Sequence, residues 1–174
     1  DAVRSGQVHH VGASSMWARD LATTLQAADR EGLEPFVSMQ DHYNLVYREG
    51  ERETFPLCER EDLAVLPWSP LARGYLARPD DEVEETTRGE TETRLYQHPY
   101  RERGGPEVNE RVAQLADEKG VKMAQIALKW TLSKEFVTSP IVGTTSIEHL
   151  EDAVEALTID LTDSDVEWLE EPYE

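Results

Sequence analysis

The sequence predicts an α/β protein in which parallel strands alternate with helices, and three observations carry that prediction. Short apolar runs alternate along the chain with longer stretches whose apolar residues recur at helical spacing. Each run ends in a turn of small or polar residues. The chain has 174 residues, 39% of them hydrophobic, enough for one domain with a real core. Strand–turn–helix alternation implies parallel strands with right-handed crossovers. The mostly apolar strand sequences imply burial on both faces.

Gln7-Val8-His9-His10-Val11 reads as the first strand and Gly12-Ala13-Ser14-Ser15 as its turn, with Ser14 or Ser15 placed to cap the next helix. That helix spans roughly residues 17–30, with Leu21, Leu25 and Ala28 on one face and Gly32 as its stop. Phe36-Val37-Ser38-Met39-Gln40 is the second strand. A loop through Asn44 leads to a polar helix over 51–60, and Leu63-Ala64-Val65-Leu66-Pro67 is the third strand. The stretch 76–105 is acidic and poor in apolar residues at its middle, which predicts a mobile surface loop. Pro106 opens a helix that Gly120 ends, and 123–133 continues as another. Thr138-Ser139-Pro140-Ile141-Val142 is the fourth strand, Gly143 to Ser146 its turn, and 147–156 its helix. Thr162 with Asp165 three residues on starts a final helix as a capping box. Four strand–helix units fit either a small doubly wound sheet or half of an eight-stranded barrel.

Asp and Glu number 36 against 17 Lys and Arg, a formal net charge of -19. Such a surface excludes nucleic acid and acidic membrane as partners. Its self-repulsion predicts a protein stabilised by concentrated salt, as in a salt-loving source; the alternative is an ordinary acidic cytosolic protein. No apolar run reaches the ~18 residues of a membrane span. The opening Asp1-Ala2-Val3-Arg4-Ser5-Gly6 has neither an initiator Met nor an apolar signal core, and reads as a chain entered partway. The one cysteine, Cys58, permits no internal disulfide and reads as buried packing. These features suit a cytoplasmic protein. The five histidines show no metal-ligand spacing, and no phosphate-binding Gly-Lys-Ser/Thr loop or Gly-x-Ser-x-Gly elbow occurs.

The distinctive residues lie where strands end and helices begin, the place where α/β folds bind ligands. Four turns stand out: Gly12-Ala13-Ser14-Ser15-Met16-Trp17; Ser38-Met39-Gln40-Asp41-His42-Tyr43-Asn44-Leu45; Leu66-Pro67-Trp68-Ser69-Pro70-Leu71-Ala72-Arg73-Gly74; and Ile141-Val142-Gly143-Thr144-Thr145-Ser146-Ile147-Glu148-His149. In this order they resemble the turns after strands five to eight of the aldo-keto reductases, and the third is similar to the aryl-alcohol-dehydrogenase-like branch. The resemblance implies the C-terminal half of a (β/α)8 TIM barrel across residues 1–174. It also implies NADP(H), or NAD(H), as cofactor, and reduction of small-molecule aldehydes or ketones by the whole protein.

By that resemblance Ser14, with Ser15 in place of the family's Asn, and Gln40 hold the nicotinamide carboxamide. Trp68 stacks on the nicotinamide ring, and Ser69, Pro70, Leu71, Ala72 and Arg73 wrap the pyrophosphate. Gly143, Thr144, Thr145, Ser146, His149 and Asp152 lie at the adenosine end, without the Lys and Arg that grip a 2′-phosphate in many relatives. The family's Tyr, Asp, Lys and His come from the first half of the barrel, so no catalytic residue is assigned here; His9 and His10 read as packing residues. The segment alone is expected to be inactive. The alternative is a non-catalytic module that binds cofactor or a subunit. It would pair through exposed barrel edges with its own copy or with an N-terminal half.

Overall fold

The computed structural model describes residues 2–85 and 98–173. Strands β1 (Val11–Ser14), β2 (Phe36–His42) and β3 (Ala64–Trp68) form a parallel sheet in the order β1-β2-β3. Helix α1 (Ala18–Glu31) connects β1 to β2, and α2 (Thr54–Arg60) connects β2 to β3. Five helices follow β3 among the described residues: α3 (His98–Arg101), α4 (Gly105–Lys119), α5 (Met123–Leu132), α6 (Ile147–Glu155) and α7 (Asp163–Glu170).

The expected fourth strand is reduced to two parallel bridges on the free side of β3, Val65 with Val137 and Trp68 with Ile141. Pro140 lacks an amide hydrogen, which limits pairing there. The spatial order nevertheless follows the chain order from β1 through residues 137–141, with no reversal. A doubly wound sheet reverses its strand order at a switch point; a barrel does not. The topology is that of a partial barrel.

Three sequence expectations need correction. The first strand lies at 11–14, not 7–11, so Gly12 is in the strand and His9 and His10 precede it, exposed. Gly12 belongs there because any Cβ would collide with the Ser38 side chain of β2. Neither Ser14 nor Ser15 caps α1; Trp17 is its N-cap residue and supplies no side-chain bond. The sheet is buried on one face only. Ala13, Met39 and Val65 are buried under the helices, while Ser38, Gln40, Ala64 and Leu66 on the other face are half-buried. A barrel covers that second face with its remaining strands, and three strands cannot.

Other expectations hold. Gly32 and Gly120 end α1 and α4 in the left-handed conformation, where L residues are strained. The Thr162–Asp165 capping box forms. The acidic stretch is less loose than expected at its shoulders, for Leu76, Val83 and Tyr100 are buried; the predicted mobile centre at 86–97 lies outside the described residues.

The core lies between the sheet and the helices. Tyr43 stacks on Trp130 at 5.2 Å and meets Phe55 edge-on at 5.1 Å, and Phe55 stacks on Phe136 at 4.8 Å. α7 is clamped onto this core. Glu170 pairs with Arg48 and Lys134 and accepts from the Trp130 indole at 2.8 Å. Burial pushes the Glu170 carboxyl up, but Lys134, Arg48 and Trp130 outweigh it and hold the group below its ordinary value.

α6 is inverted. Asp152 and Glu155 contact the body, where Asp152 bonds Lys122 and Gln125 donates to the Asp152 carbonyl and to Glu155, while Glu148, His149 and Glu151 are exposed. Its apolar residues Ile147, Leu150 and Val154 face solvent, and Leu157 just beyond extends the stripe. Among the described residues no helix is long and apolar enough to cross a membrane.

Candidate functional site at the strand ends

The register of the sheet assembles the site. Ser14 pairs with Gln40, Gln40 with Leu66, and His42 with Trp68. Residues paired across parallel strands share a face, and alternation puts Gln40 and His42 on the same face. Ser14, Gln40, His42 and Trp68 therefore stand on the half-open face, at the C-terminal ends of adjacent strands. Gln40 is half-buried, and neither its carboxamide nor the Ser14 hydroxyl has a hydrogen-bond partner among the described residues. Half-buried polar groups normally find partners, so the Gln40 carboxamide is open to a ligand, with the exposed Ser14 hydroxyl on the paired residue beside it.

Ser15 turns the chain out of β1 at φ 48°, with its amide on the Gln40 carbonyl at 2.9 Å. Its hydroxyl accepts from the Trp68 indole N–H at 3.3 Å. The residue that replaces the family's Asn thus braces the proposed stacking residue.

The loop after β3 is tightly wound. Ser69, Ala72 and Arg73 all have positive φ (53°, 48° and 57°), each costing on the order of 1 kcal/mol in a non-glycine residue. Packing and hydrogen bonds must offset that cost. Ala72 N–H donates to the Ser69 carbonyl at 2.9 Å and Gly74 N–H to Leu71 at 2.9 Å. Asn44, fully buried, donates from Nδ2 to the same Ser69 carbonyl at 2.9 Å and accepts from Val46 N–H at 3.1 Å. Asn44 thereby ties the loop after β2 to the loop after β3.

Behind Trp68 lies a cluster that sequence reasoning missed. His42 stacks on Trp68 at 4.2 Å, with ring planes 7° apart, and on Tyr47 at 4.2 Å. His42 Nε2 is 2.8 Å from the Tyr100 hydroxyl and 3.2 Å from Asn44 Nδ2. Burial and the neighbouring Arg73 guanidinium push the His42 pKa down to about 4, so the ring is neutral at physiological pH. Burial raises the Tyr100 hydroxyl to about 12 despite Arg73 beside it. Arg73, expected at the pyrophosphate, is half-buried with its charge directed at this cluster. The signal in the sequence was the two-residue spacing of Gln40 and His42 at a strand end.

The adenosine-end residues lie beyond the Trp68–Ile141 bridge, where Ile141 N–H donates to the Pro67 carbonyl at 2.7 Å. Gly143 to Ser146 and His149 are exposed. Thr144 Oγ1 accepts from Ser146 N–H at 3.2 Å, and Ser146 caps α6 by accepting from His149 N–H at 3.2 Å. Asp152 does not join this turn; its carboxylate is held at 2.8 Å by Lys122. Cys58 is buried, its thiol pushed up to about 11 by burial, and is no nucleophile. No group of three His, Cys, Asp or Glu side chains among the described residues is arranged to hold a metal ion.

A shallow cavity of about 270 Å³ beside Arg48, Phe55, Lys134 and Phe136 contains none of the candidate residues. The strand ends form an open shelf, since a half-open sheet has no facing wall.

Comparison with known proteins agrees with the topology. The model of the Aldo/keto reductase family matches residues 1–174. A Schizosaccharomyces pombe protein bearing a provisional aryl-alcohol dehydrogenase name is 41% identical over 174 residues, covering 99% of this chain and 52% of the relative. Versiconal hemiacetal acetate reductase of Aspergillus parasiticus is 39% identical over 177 residues, covering 99% and 50%. Aldo-keto reductase AMT2 of Alternaria alternata is 39% identical over 173 residues, covering 99% and 46%. The chain spans about half the length of the curated relatives it matches.

Proposed function

The chain belongs to the aldo/keto reductase family, and from that premise we propose that it is the cofactor-binding half of an NAD(P)H-dependent reductase of aldehydes and ketones. The supporting observation is the shelf: the unpartnered Gln40 carboxamide and Ser14 hydroxyl on one sheet face with the braced indole of Trp68. A carboxamide needs both a donor and an acceptor, which Gln40 supplies, and Ser14 adds a hydroxyl that does either. The flat face of Trp68 suits the attached ring. When bound, a reduced nicotinamide supplies a hydride to a carbonyl carbon. The residues of this chain orient that ring and leave proton donation to groups elsewhere. Ser146 and the first amides of α6 stand where an anion is stabilised by a helix N-terminus. With Lys122 engaged by Glu148 and Asp152 and His149 the remaining cationisable side chain on α6, the site takes NADH as readily as NADPH.

Trp fluorescence titrated with NADPH and NADH tests this reading. The 174-residue protein should bind both, Trp68→Ala should lose most of that binding, and aryl aldehyde should not be turned over. Wild-type affinity in Trp68→Ala, or turnover by the chain alone, would sink it.

A second reading is favoured by α6, whose outward apolar stripe is an uncovered surface. Together with the open edge of β1, it fits a complementary N-terminal half-barrel that supplies the other strands. A net charge of -19 on each copy opposes self-pairing. Size-exclusion chromatography decides: a monomer that shifts on adding residues equivalent to the first half of a relative supports the reading, and a homodimer refutes the choice of partner.

A further inference from the structure

A planar side chain has two faces, and a ligand ring needs one of them. In Trp68 one face is already taken by His42, parallel within 7° at 4.2 Å, and no other ring stacks on Trp68 among the described residues. The imidazole is itself backed by Tyr47 at 4.2 Å, with planes 18° apart. Its position is set from the edge as well. Asn44 uses Oδ1 to accept from Val46 N–H and Nδ2 to donate to the Ser69 carbonyl, so the amide orientation is assigned by two independent partners. The group it presents to His42 Nε2 at 3.2 Å is therefore a donor. Nε2 must be an acceptor, so the proton sits on Nδ1, and the Tyr100 hydroxyl at 2.8 Å donates to Nε2 as well.

We infer that His42 is a positioning residue for the cofactor shelf: its neutral imidazole, wedged between Tyr47 and Trp68, fixes the indole plane and leaves the opposite face as the docking surface for a flat heteroaromatic ring. The inference rests on the reading of Trp68 given above. His42 touches no substrate and moves no proton; it acts through Trp68. Two braces then hold the indole, His42 across its face and Ser15 at its N–H. A cationic ring in this place would be opposed by the Asn44 N–H and by Arg73, and the depressed His42 pKa agrees with that. A neutral partner adds no charge behind the indole and leaves its free face to stack on the flat nicotinamide ring.

The test uses His42→Ala and His42→Phe in the 174-residue protein. Trp68 emission is isolated by subtracting a Trp68→Phe spectrum. His42→Ala should raise acrylamide quenching of Trp68 and weaken NADPH and NADH about three- to tenfold, the range of a lost aromatic contact. It should leave the affinity for 2′,5′-ADP, which lacks the nicotinamide, unchanged. His42→Phe keeps a flat ring in the sandwich and should restore both the low quenching and most of the affinity. Unchanged quenching in His42→Ala, no rescue by Phe, or a parallel loss of 2′,5′-ADP binding would overturn the inference. Wild-type cofactor affinity in Trp68→Ala, or no cofactor binding at all, would instead overturn the shelf as a nicotinamide site. The quenching comparison would still judge whether His42 holds Trp68.

Discussion

Replacing Asn44 with Ala tests how the two loops of the site are tied together. Asn44 is fully buried and serves three groups: the Val46 amide, the Ser69 carbonyl and His42 Nε2. The losses are unequal. Ser69 keeps the Ala72 N–H and His42 keeps Tyr100, so each loses about 0.5–1 kcal/mol of net hydrogen bonding. Val46 N–H is left buried without a partner, at about 1–2 kcal/mol. Asn44→Ala should therefore cost about 3 kcal/mol in urea unfolding and lower Tm by roughly 6–12 °C. Near-UV circular dichroism of Trp68 should weaken, since Ser69 follows it directly. Asn44→Asp separates the donors from the acceptor. The carboxylate restores an acceptor for Val46 but sets negative charge against the Ser69 carbonyl and the His42 lone pair. Its pKa is raised in the fold, so the stabilisation is present while the group is protonated and is lost as pH rises through the folded pKa. Stability of Asn44→Asp should fall relative to wild type across the window that opens above about pH 4, the ordinary carboxylate value. An Asn44→Ala penalty under about 0.5 kcal/mol, or a flat Asn44→Asp difference across that window, would refute the latch.

Glu170 makes the opposite pH prediction. Its depressed pKa gives stability that is present above the ordinary value of 4.5 and lost as pH falls through the folded value. Glu170→Gln should flatten that acid limb and cost about 2 kcal/mol at pH 7, read from thermal melts at pH 2–7. Gly12→Ala should destabilise by about 1–3 kcal/mol by forcing β1 away from Ser38, and Ser38→Ala should recover part of the loss in the double variant. The surface charge of -19 predicts that Tm rises with KCl; a falling Tm in a melting series would remove the salt-adaptation reading.

The sequence by itself determined the alternation of elements, the helix stops at Gly32 and Gly120, the Thr162 cap and the membership of four turns in one family. The first three rest on local chemistry, namely backbone conformations that favour glycine, caps within three residues, and periods of two or 3.6; the last rests on the resemblance of those residue runs to the family's. It misplaced β1 because Gly12 looks like a turn residue in isolation, and only the approach of Ser38 from another strand gives it a different reason. Periodicity also could not tell that one sheet face stays half-open, since that depends on how many strands close around it. The site divides along the same line. Trp68, Gln40 and Ser14 were legible at strand ends, whereas His42, Asn44 and Tyr100 needed the register that sets His42 beside Trp68 and the fold that brings residue 100 back to residue 42. The reason is physical: a strand end is written in neighbouring residues, but the face of an indole is covered by whatever the tertiary structure brings to it.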